Sequence, residues 1–210
     1  SETVLQGYVS EGSVRVSDRV GEQRTTVEVD VQHRPRLDGR HDLVWGATAR
    51  VSDDTLTGGG GFIAFPREQR RFTLASVFVN DEITLQPERL RATLGARLEH
   101  NNFTGLEPQA HARLAWTPSR TQTLWTSLSR AVRTPSRAEI DAQVDLAVTP
   151  ADPPRPPVLL RSVAVTDGEL KSETVTALEI GSRHQIDARL AVDLALFHNR
   201  YAGLIGGVLG

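Results

Sequence analysis

The 210-residue sequence contains no cysteine and no methionine. The absence of cysteine excludes disulfide frameworks, thiolate metal sites and cysteine nucleophiles. No run approaches the roughly 18 consecutive apolar residues that a transmembrane helix requires, which excludes a helical membrane protein. The formal net charge is only -2, so the sequence indicates neither a nucleic-acid-binding surface nor an acidic tail.

The N-terminal segment also lacks expected features. The chain has no initiator methionine, and its first ten residues show neither the basic nor the apolar region of a signal peptide. We therefore expect either that a leader has been removed or that further residues precede this sequence.

What the sequence does have is a repeated alternation of apolar and polar residues, typical of strands whose two faces meet different surroundings. Within 25–34, for example, Val27 and Val29 alternate with Glu28 and Asp30. The same pattern predicts further strands over 41–53, 71–85, 89–100, 110–116, 124–132, 170–182 and 190–197, and a possible one over 3–10. The apolar residues of 71–85 change phase, which a β-bulge would reconcile.

The connections between these strands alternate in length along the chain. Short connections are predicted at 35–40, 86–88, 117–120 and 185–188, and longer ones at 53–70, 101–109 and 134–167. Transmembrane barrels have brief periplasmic turns at one rim and longer loops at the other, whereas a soluble sandwich has no reason to keep such an asymmetry. The strands are also long enough for the roughly 9 to 11 residues that a tilted strand needs to cross a bilayer.

These patterns predict an all-β fold, an antiparallel meander of long strands that forms part of a large transmembrane β-barrel, as an open or partly closed sheet. A small eight-stranded barrel has an interior just wide enough for side chains, so the many charged residues on one face favour a wider barrel. Trp116, beside the turn at 117–120, fits an aromatic anchor at the membrane interface.

One segment suggests a family. Residues 125–139 contain Ser129-Arg130, Arg133 and Pro135 in an order that resembles a strand-to-loop passage of TonB-dependent receptor barrels. Further stretches resemble the same family in the right order, at 41–46, 94–99, 170–174, 179–183 and 197–204. No energy-coupling box, plug-like domain or closing strand with an aromatic end is found. We therefore expect 1–210 to be a partial barrel domain, from the middle to late part of a receptor.

The resemblance implies active uptake of a scarce nutrient across the Gram-negative outer membrane, with ferric siderophores, cobalamin, haem and carbohydrates as the common cargoes. It implies four partners, namely outer-membrane lipid, the plug domain of the same parent chain, the TonB complex acting through the missing N-terminal region, and a small-molecule or metal-chelate cargo. We expect no enzymatic activity, no catalytic residue, no cofactor and no nucleic-acid partner.

Three arginines near the end of a predicted strand are the candidate ligand-binding residues, Arg130, Arg133 and Arg137. They could attract an anionic chelate. Alternatively they pair with Glu173, Glu179 or Asp141 to hold the lumen wall, and this is the favoured interpretation because charges inside a membrane protein pair by default. The loop over 134–167 is the longest and is therefore the best candidate for ligand contact.

The remaining motifs give little information about function. His33 and His41 share the outward parity but lack further ligands for a metal, while His100 and His111 point to opposite faces. The glycine run at 58–61 lacks the Lys-Ser/Thr of a phosphate loop and is interpreted as a surface loop. The proline-rich stretch 150–157 is expected to stiffen the long loop, although it could mimic a polyproline ligand.

Two other functions stay open. A self-contained small outer-membrane barrel could act as a protease or lipase, which requires 210 residues to close the barrel. A soluble β-sandwich could serve as a binding module, which requires the apolar faces to pack against a second layer of the same chain.

Overall fold

The computed structural model describes residues 1–16, 20–37, 39–58, 63–149, 158–162 and 170–206, with only the backbone described at 146–149 and 158–162. The elements are β1 (Glu2–Val16), β2 (Val20–Arg34), β3 (His41–Thr57), β4 (Ile63–Ala64), β5 (Gln69–Gln86), β6 (Leu90–Asn101), β7 (Gly105–Ser119), β8 (Gln122–Arg133), α1 (Arg137–Asp141), β9 (Gln143–Thr149), β10 (Val158–Ser162), β11 (Glu173–Gln185) and β12 (Ala191–Ala202). Among these residues, no helix is long and apolar enough to span a membrane.

Nine of the strands form one sheet, in the order β1-β2-β3-β5-β6-β7-β8-β11-β12, and every neighbouring pair is antiparallel. Strands β10, β9 and β4 form a second, three-stranded sheet. The antiparallel meander of long strands is confirmed, including the possible strand near the N-terminus. In the described part of the chain, β1 and β12 are the two edges of the sheet and do not pair with each other, so the sheet is open.

The connection predicted at 101–109 is wrong, because β6 and β7 are joined by a turn of only three residues, 102–104. The Oδ1 atom of Asn101 accepts hydrogen bonds from the backbone N–H groups of Phe103 and Thr104, at 2.9 and 2.8 Å, which stabilises this turn. Pro108 suggested a loop, yet it lies in β7. The ladder between β7 and β8 begins only at Ala110, so no backbone N–H is needed on the β8 side of Pro108.

The β-bulge expected within 71–85 does not account for the change of phase there. The register of β5 shifts only between Thr84 and Gln86, and its pairing with β3 runs without interruption over the rest of the strand. Phe72 and Phe78 therefore lie on the face opposite Val77. The phenyl ring of Phe78 lies across Gly46 on β3, where an added Cβ would be 2.5 Å from the ring.

One face of the long sheet, which we call the apolar face, is made of alternate residues whose side chains are aliphatic or aromatic. They are Val27, Val29, Trp45, Val51, Val77, Val79, Leu94, Leu98, Leu114, Trp116, Leu128, Leu178, Ile180, Leu194 and Leu196, and all are exposed. Leu128 is 52% exposed, Ile180 55% and Leu196 65%. The apolar side chains of the sheet thus face outwards over its whole width.

The opposite face, which we call the polar face, carries cross-strand pairs of charged and hydroxyl side chains. Arg50 donates to Glu28, Thr48 donates to Asp30 at 2.6 Å, and Arg97 donates to Ser76 at 2.9 Å. The Glu28 carboxylate is well covered, with only 14% of its side chain exposed, whereas Asp42 and Asp193 are 47% and 59% exposed. The sheet therefore exposes large apolar side chains across one face and pairs polar groups across the other, which differs from the arrangement of a soluble domain.

Aromatic rings also lie flat on the polar face. An added Cβ at Gly181 of β11 would be 2.2 Å from the indole of Trp125 on β8, and one at Gly95 of β6 would be 2.2 Å from the imidazole of His111 on β7. The glycines give the rings room to lie against the backbone of the neighbouring strand. The guanidinium of Arg113 lies 5.5 Å from the centre of the Trp125 ring.

Candidate functional site

Buried side chains concentrate at the end of the sheet where the long connections lie, which we call the loop rim. β5 pairs with β6 up to Leu74 but with β3 up to Gln69, five residues further. The turn at 102–104 therefore lies below the ends of β3 and β5 at this rim, and we call the gap above it the notch. Among the described residues, the buried hydrophobic side chains, Leu56 and Phe65, both belong to the β3 end and the following loop.

The segment after β8 crosses towards the notch and begins with a stable cap. Ser136 is the N-cap of α1, and its hydroxyl accepts from the backbone N–H of Glu139 at 3.3 Å. The Glu139 carboxylate accepts in return from the Ser136 backbone N–H at 2.7 Å. This capping box satisfies two amides of a helix that is only five residues long.

Arg137 is the centre of the buried cluster and is only 7% exposed. Its Nε donates to Asp54 of β3 at 3.0 Å, one terminal nitrogen donates to Asp141, and the other donates to the backbone oxygens of Arg67 and Glu68. Since β8 and β3 are separated by three other strands, α1 reaches past β7, β6 and β5 to make these contacts. The guanidinium joins both long loops to the wall.

Arg70 of β5 extends the same cluster. Its Nε lies 2.5 Å from Asp141, and its guanidinium lies 5.5 Å from the ring centre of Phe103 in the turn at 102–104. That ring meets Phe72 edge to face, with 4.9 Å between centroids. Strand β9, which follows α1, also pairs with β4 in the loop after β3. The two long loops are therefore held together and to the notch.

Arg133 forms a second, more exposed group at the end of β8. Its Nε donates to Glu173 of β11 at 2.7 Å, and both terminal nitrogens donate to Glu139, at 3.0 and 2.8 Å. Hydrogen bonds from Arg133 and from the Ser136 backbone lower the pKa of Glu139 to about 2. The second oxygen of Glu173 accepts from the backbone N–H of Ile205 at 2.7 Å. This group joins α1, β8, β11 and the segment after β12.

The three candidate arginines are not brought together. Arg133 lies on the polar face and Arg137 is buried in the loop cluster, whereas Arg130 has the parity of Leu128 and lies on the apolar face. Arg130 donates to the backbone oxygen of Pro108. Of the three predicted partners, Glu173 pairs with Arg133 and Asp141 pairs with Arg137. The Glu179 side chain has no hydrogen bond or ion pair with the residues that the structure describes.

The sequence interpretation missed several residues of the loop rim, namely Asp54, Arg70, Asn101, Glu107 and Ser172. Asn101 is fully buried, and the hydroxyl of Ser172 donates to Glu107 at 2.6 Å. A signal for Asn101 was present, because Asn and Gly in 101–105 are residues that favour turns. Nothing in the sequence links Asp54 to Arg137, which is 83 residues away.

The histidines have separate partners. His41 lies 2.7 Å from Asp81, the His33 ring lies 2.7 Å from the Thr3 hydroxyl, and the His111 ring lies 3.1 Å from the Asn80 side-chain oxygen. Within the described ranges, no group of three or more His, Asp or Glu residues could hold a metal ion. The glycines at 59–61 and the proline-rich stretch at 150–157 lie outside the described residues.

The geometry defines a class of protein. An open antiparallel sheet of long strands, apolar on one face and charged on the other, is a segment of barrel wall. No second layer covers the apolar face in the described part of the chain, as a sandwich would require. Nor do the described edges meet, as a self-contained small barrel would require.

Solved structures share this fold. The siderophore receptor PirA of Pseudomonas aeruginosa is 16% identical, with a TM-score of 0.64 over 95% of this chain and 39% of the receptor. A mutant of the ferric enterobactin receptor PfeA of the same species, bound to enterobactin, is 19% identical, with a TM-score of 0.62 over 87% of this chain and 27% of that one. The copper transporter OprC is 16% identical, with a TM-score of 0.61 over 86% and 30%.

The family is defined by the sequence itself. Residues 3–209 match the family described as TonB dependent receptor-like, beta-barrel. The chain therefore belongs to this family, as its motifs suggested. It spans 39% of the PirA receptor and 27% of the PfeA receptor. No characterised protein sequence matches it significantly.

Proposed function

We propose that this chain is part of the barrel wall of an outer-membrane receptor that imports a scarce nutrient by active, TonB-coupled transport, and that it carries no catalytic activity. The single observation that carries this proposal is the two-faced sheet, with large apolar side chains exposed on one face and cross-strand polar pairs on the other. A hydrocarbon solvent stabilises exposed Leu and Val side chains, whereas water does not.

Backbone hydrogen bonding supports a lipid environment. Thr126 is a polar residue in the middle of the apolar face, between Leu124 and Leu128 along β8. Its hydroxyl donates to the backbone oxygen of Glu179 on β11 at 3.0 Å, so it presents no unsatisfied donor to the outside. An unsatisfied polar group is costly in hydrocarbon, and this bond removes that cost.

The polar face would then line the lumen and meet a plug domain of the same parent chain. Arg133 is the candidate arginine that faces this side, and its side chain is 49% exposed despite its two carboxylate partners. We propose that it acts near the cargo path, and that Arg130 and Arg137 have other roles. Ferric siderophores are the first cargo class to test, because two of the similar solved structures are named as siderophore or ferric enterobactin receptors.

The test uses the intact receptor that contains this chain, expressed in a Gram-negative host lacking its own siderophore receptors. Uptake of radioiron-loaded siderophores, cobalamin and haem is measured with and without a functional TonB complex, and the receptor is located by membrane fractionation. We expect outer-membrane location and TonB-dependent uptake of at least one cargo. The Arg133→Gln variant should reduce that uptake, and Arg183→Gln on the polar face near the opposite rim should not.

Two results would contradict the proposal. Recovery of the folded receptor in the soluble fraction would remove the membrane placement. Uptake that is the same without the TonB complex would indicate a passive pore and would remove the coupling.

A further inference from the structure

One row of directly opposed residues, all with apolar-face parity, crosses the long sheet from one rim towards the other. From β2 to β11 its members are His33, Trp45, Val79, Ala96, Ala110, Arg130 and Thr176. We call the end of the sheet with the short turns the turn rim. His33 is one residue from the turn-rim end of β2, whereas Thr176 is nine residues from the turn-rim end of β11. The row therefore climbs towards the loop rim.

This climb measures the lean of the strands. The difference of eight residues is about 27 Å of strand, and the six strand spacings from β2 to β11 add up to about 29 Å. Because the short turns of a barrel share one rim, the strands lean by about 40° from the normal to that rim, as membrane barrels do. Residues of one row therefore lie at different heights above the turn rim.

The ionisable residues of the apolar face fall into two groups, one towards each end of the strands. In the described strands of the long sheet, the group towards the turn rim is His33, His41, Asp81 and His184, and the group towards the loop rim is Glu11, Arg15, Asp53, Arg71, His100, Arg130, His198 and Arg200. Between the groups, these strands have no Asp, Glu, His, Lys or Arg of apolar-face parity. Apolar residues such as Ile83 and Val132 lie beyond the groups, so it is ionisable residues that delimit the band between them.

The height of this band can be measured on β5, which contributes to an acid–base pair in each group. Arg71 lies 2.7 Å from Asp53 near the loop rim, and His41 lies 2.7 Å from Asp81 near the turn rim. Arg71 and Asp81 are ten residues apart, which is about 34 Å of strand and about 26 Å of height at a lean of about 40°. The apolar band of a transmembrane barrel is about 25 Å tall.

Two exposed tryptophans of the apolar face agree with this slope. Trp45 and Trp116 are 44% and 47% exposed. Trp45 is four residues from the start of β3, and Trp116 lies opposite Leu90, the first residue of β6. They belong to different rows, yet both lie near the turn rim, where an interfacial girdle of aromatic residues is expected.

We propose that the hydrocarbon layer of the outer membrane covers the band between the two ionisable groups, so that the membrane plane crosses the rows obliquely. His33, Ala96 and Thr176 belong to one row, and they then lie at the periplasmic boundary, near the bilayer centre and at the outer boundary. This inference rests on the membrane placement in the proposed function, but not on cargo or TonB coupling.

The test measures the depth of these three positions in the intact receptor, from which any cysteine outside this chain has been removed. His33→Cys, Ala96→Cys and Thr176→Cys are each labelled with a nitroxide in dioleoylphosphatidylcholine vesicles. Collision of the label with oxygen and with a water-soluble nickel chelate gives its depth. We expect position 96 to lie about 10 Å deeper than positions 33 and 176, because half of the apolar band is about 12 Å.

The side of the membrane is tested separately in whole cells. A membrane-impermeant thiol reagent should reach Thr176→Cys from outside, and should reach His33→Cys only after the outer membrane is permeabilised. Ser127→Cys is the matched control for depth, because it lies five residues from the turn-rim end of β8, against six for Ala96 on β6, but on the polar face. Its label should not contact lipid. Heat-modifiable migration on gels checks that each variant is folded.

Three results would overturn the proposal: equal depths at the three positions, a label at position 127 as deep in lipid as the one at 96, or reaction of His33→Cys in intact cells. A receptor found in the outer membrane that gives any of these results would overturn this inference alone. A receptor absent from the outer membrane would instead remove the proposed function.

Discussion

The part of the long sheet below the loop rim, which we call the span, is held together in a different way from the loop rim itself. In the span, the apolar side chains are exposed and the strands are joined by their backbone ladders and by cross-strand polar pairs. At the loop rim, Leu56, Phe65, Asp54 and Arg137 are buried by contacts within the chain itself. The span therefore depends on what surrounds it, whereas the rim supplies its own core.

The sharpest test of the rim is Arg137→Met. Asp54 would then be left buried without its partner and Asp141 would keep only Arg70, and breaking such a buried pair costs about 3–5 kcal/mol. We expect segments 63–69 and 136–145 to lose that much protection in hydrogen exchange of the intact receptor. Arg183→Met is the control, because its pair with Asp193 is exposed and is worth less than about 1 kcal/mol. Unchanged exchange in the rim would show that its core does not depend on this arginine.

The span is tested by two neighbouring residues of β8 that point to opposite faces. Leu128→Arg puts a charge on the apolar face and should cost about 2–4 kcal/mol if lipid lies there. Ser127→Arg puts the same charge opposite Glu179 on the polar face and should cost little. The measurement is denaturant-induced unfolding of the receptor in lipid vesicles. Equal costs for the two variants would contradict the assignment of the faces.

The contact between Trp125 and Gly181 tests close packing within the span. An added Cβ in Gly181→Ala would be 2.2 Å from the indole, so the ring must move, at a cost of about 1–3 kcal/mol. The control is Gly12→Ala in β1, where no atom lies within 4 Å of an added Cβ. Combining Gly181→Ala with Trp125→Leu should recover most of the loss. No recovery would mean that the indole is not the cause.

The smallest expected effect is on pH dependence at the rim. The pKa of Glu139 is lowered from its ordinary value of 4.5 to about 2, so its contribution to stability is complete above 4.5 and is lost as the pH falls towards 2. Protection of the α1 amides, corrected for intrinsic exchange, should therefore persist at about pH 4 and weaken near pH 2. The Glu139→Gln variant should lack this step, and a step near pH 4.5 in the wild type would contradict the assigned contacts.

The sequence predicted the span far better than the rim. Alternation with period two is a local signal, and it located the long strands and their two faces. The alternation also indicates that Arg130 shares a face with Leu128, because both have even residue numbers. The proximity of Arg133 and Arg137 along the chain nevertheless suggested one common site for the three arginines. The error came from treating nearness along the chain as nearness in space.

The rim could not be predicted because its contacts are not local. The position of α1 depends on the path of the segment after β8, which no periodicity describes. Pro108 and the turn residues around Asn101 were interpreted as one long loop, although the ladder with β6 accommodates the proline. The pairing of β4 with β9 likewise joins two loops through strands too short to give an alternation signal.

The notch above 102–104 makes the contacts of the two long loops depend on the length of this short turn. Arg137 and Asp141 reach Asp54 and Arg70 only because β6 and β7 end early and leave a path across the wall. An insertion in the three-residue turn would raise an obstacle in that path. In relatives that retain the Asp54–Arg137 pair, we therefore expect this turn to stay short, and in those with a longer turn we expect both acidic partners to be replaced together.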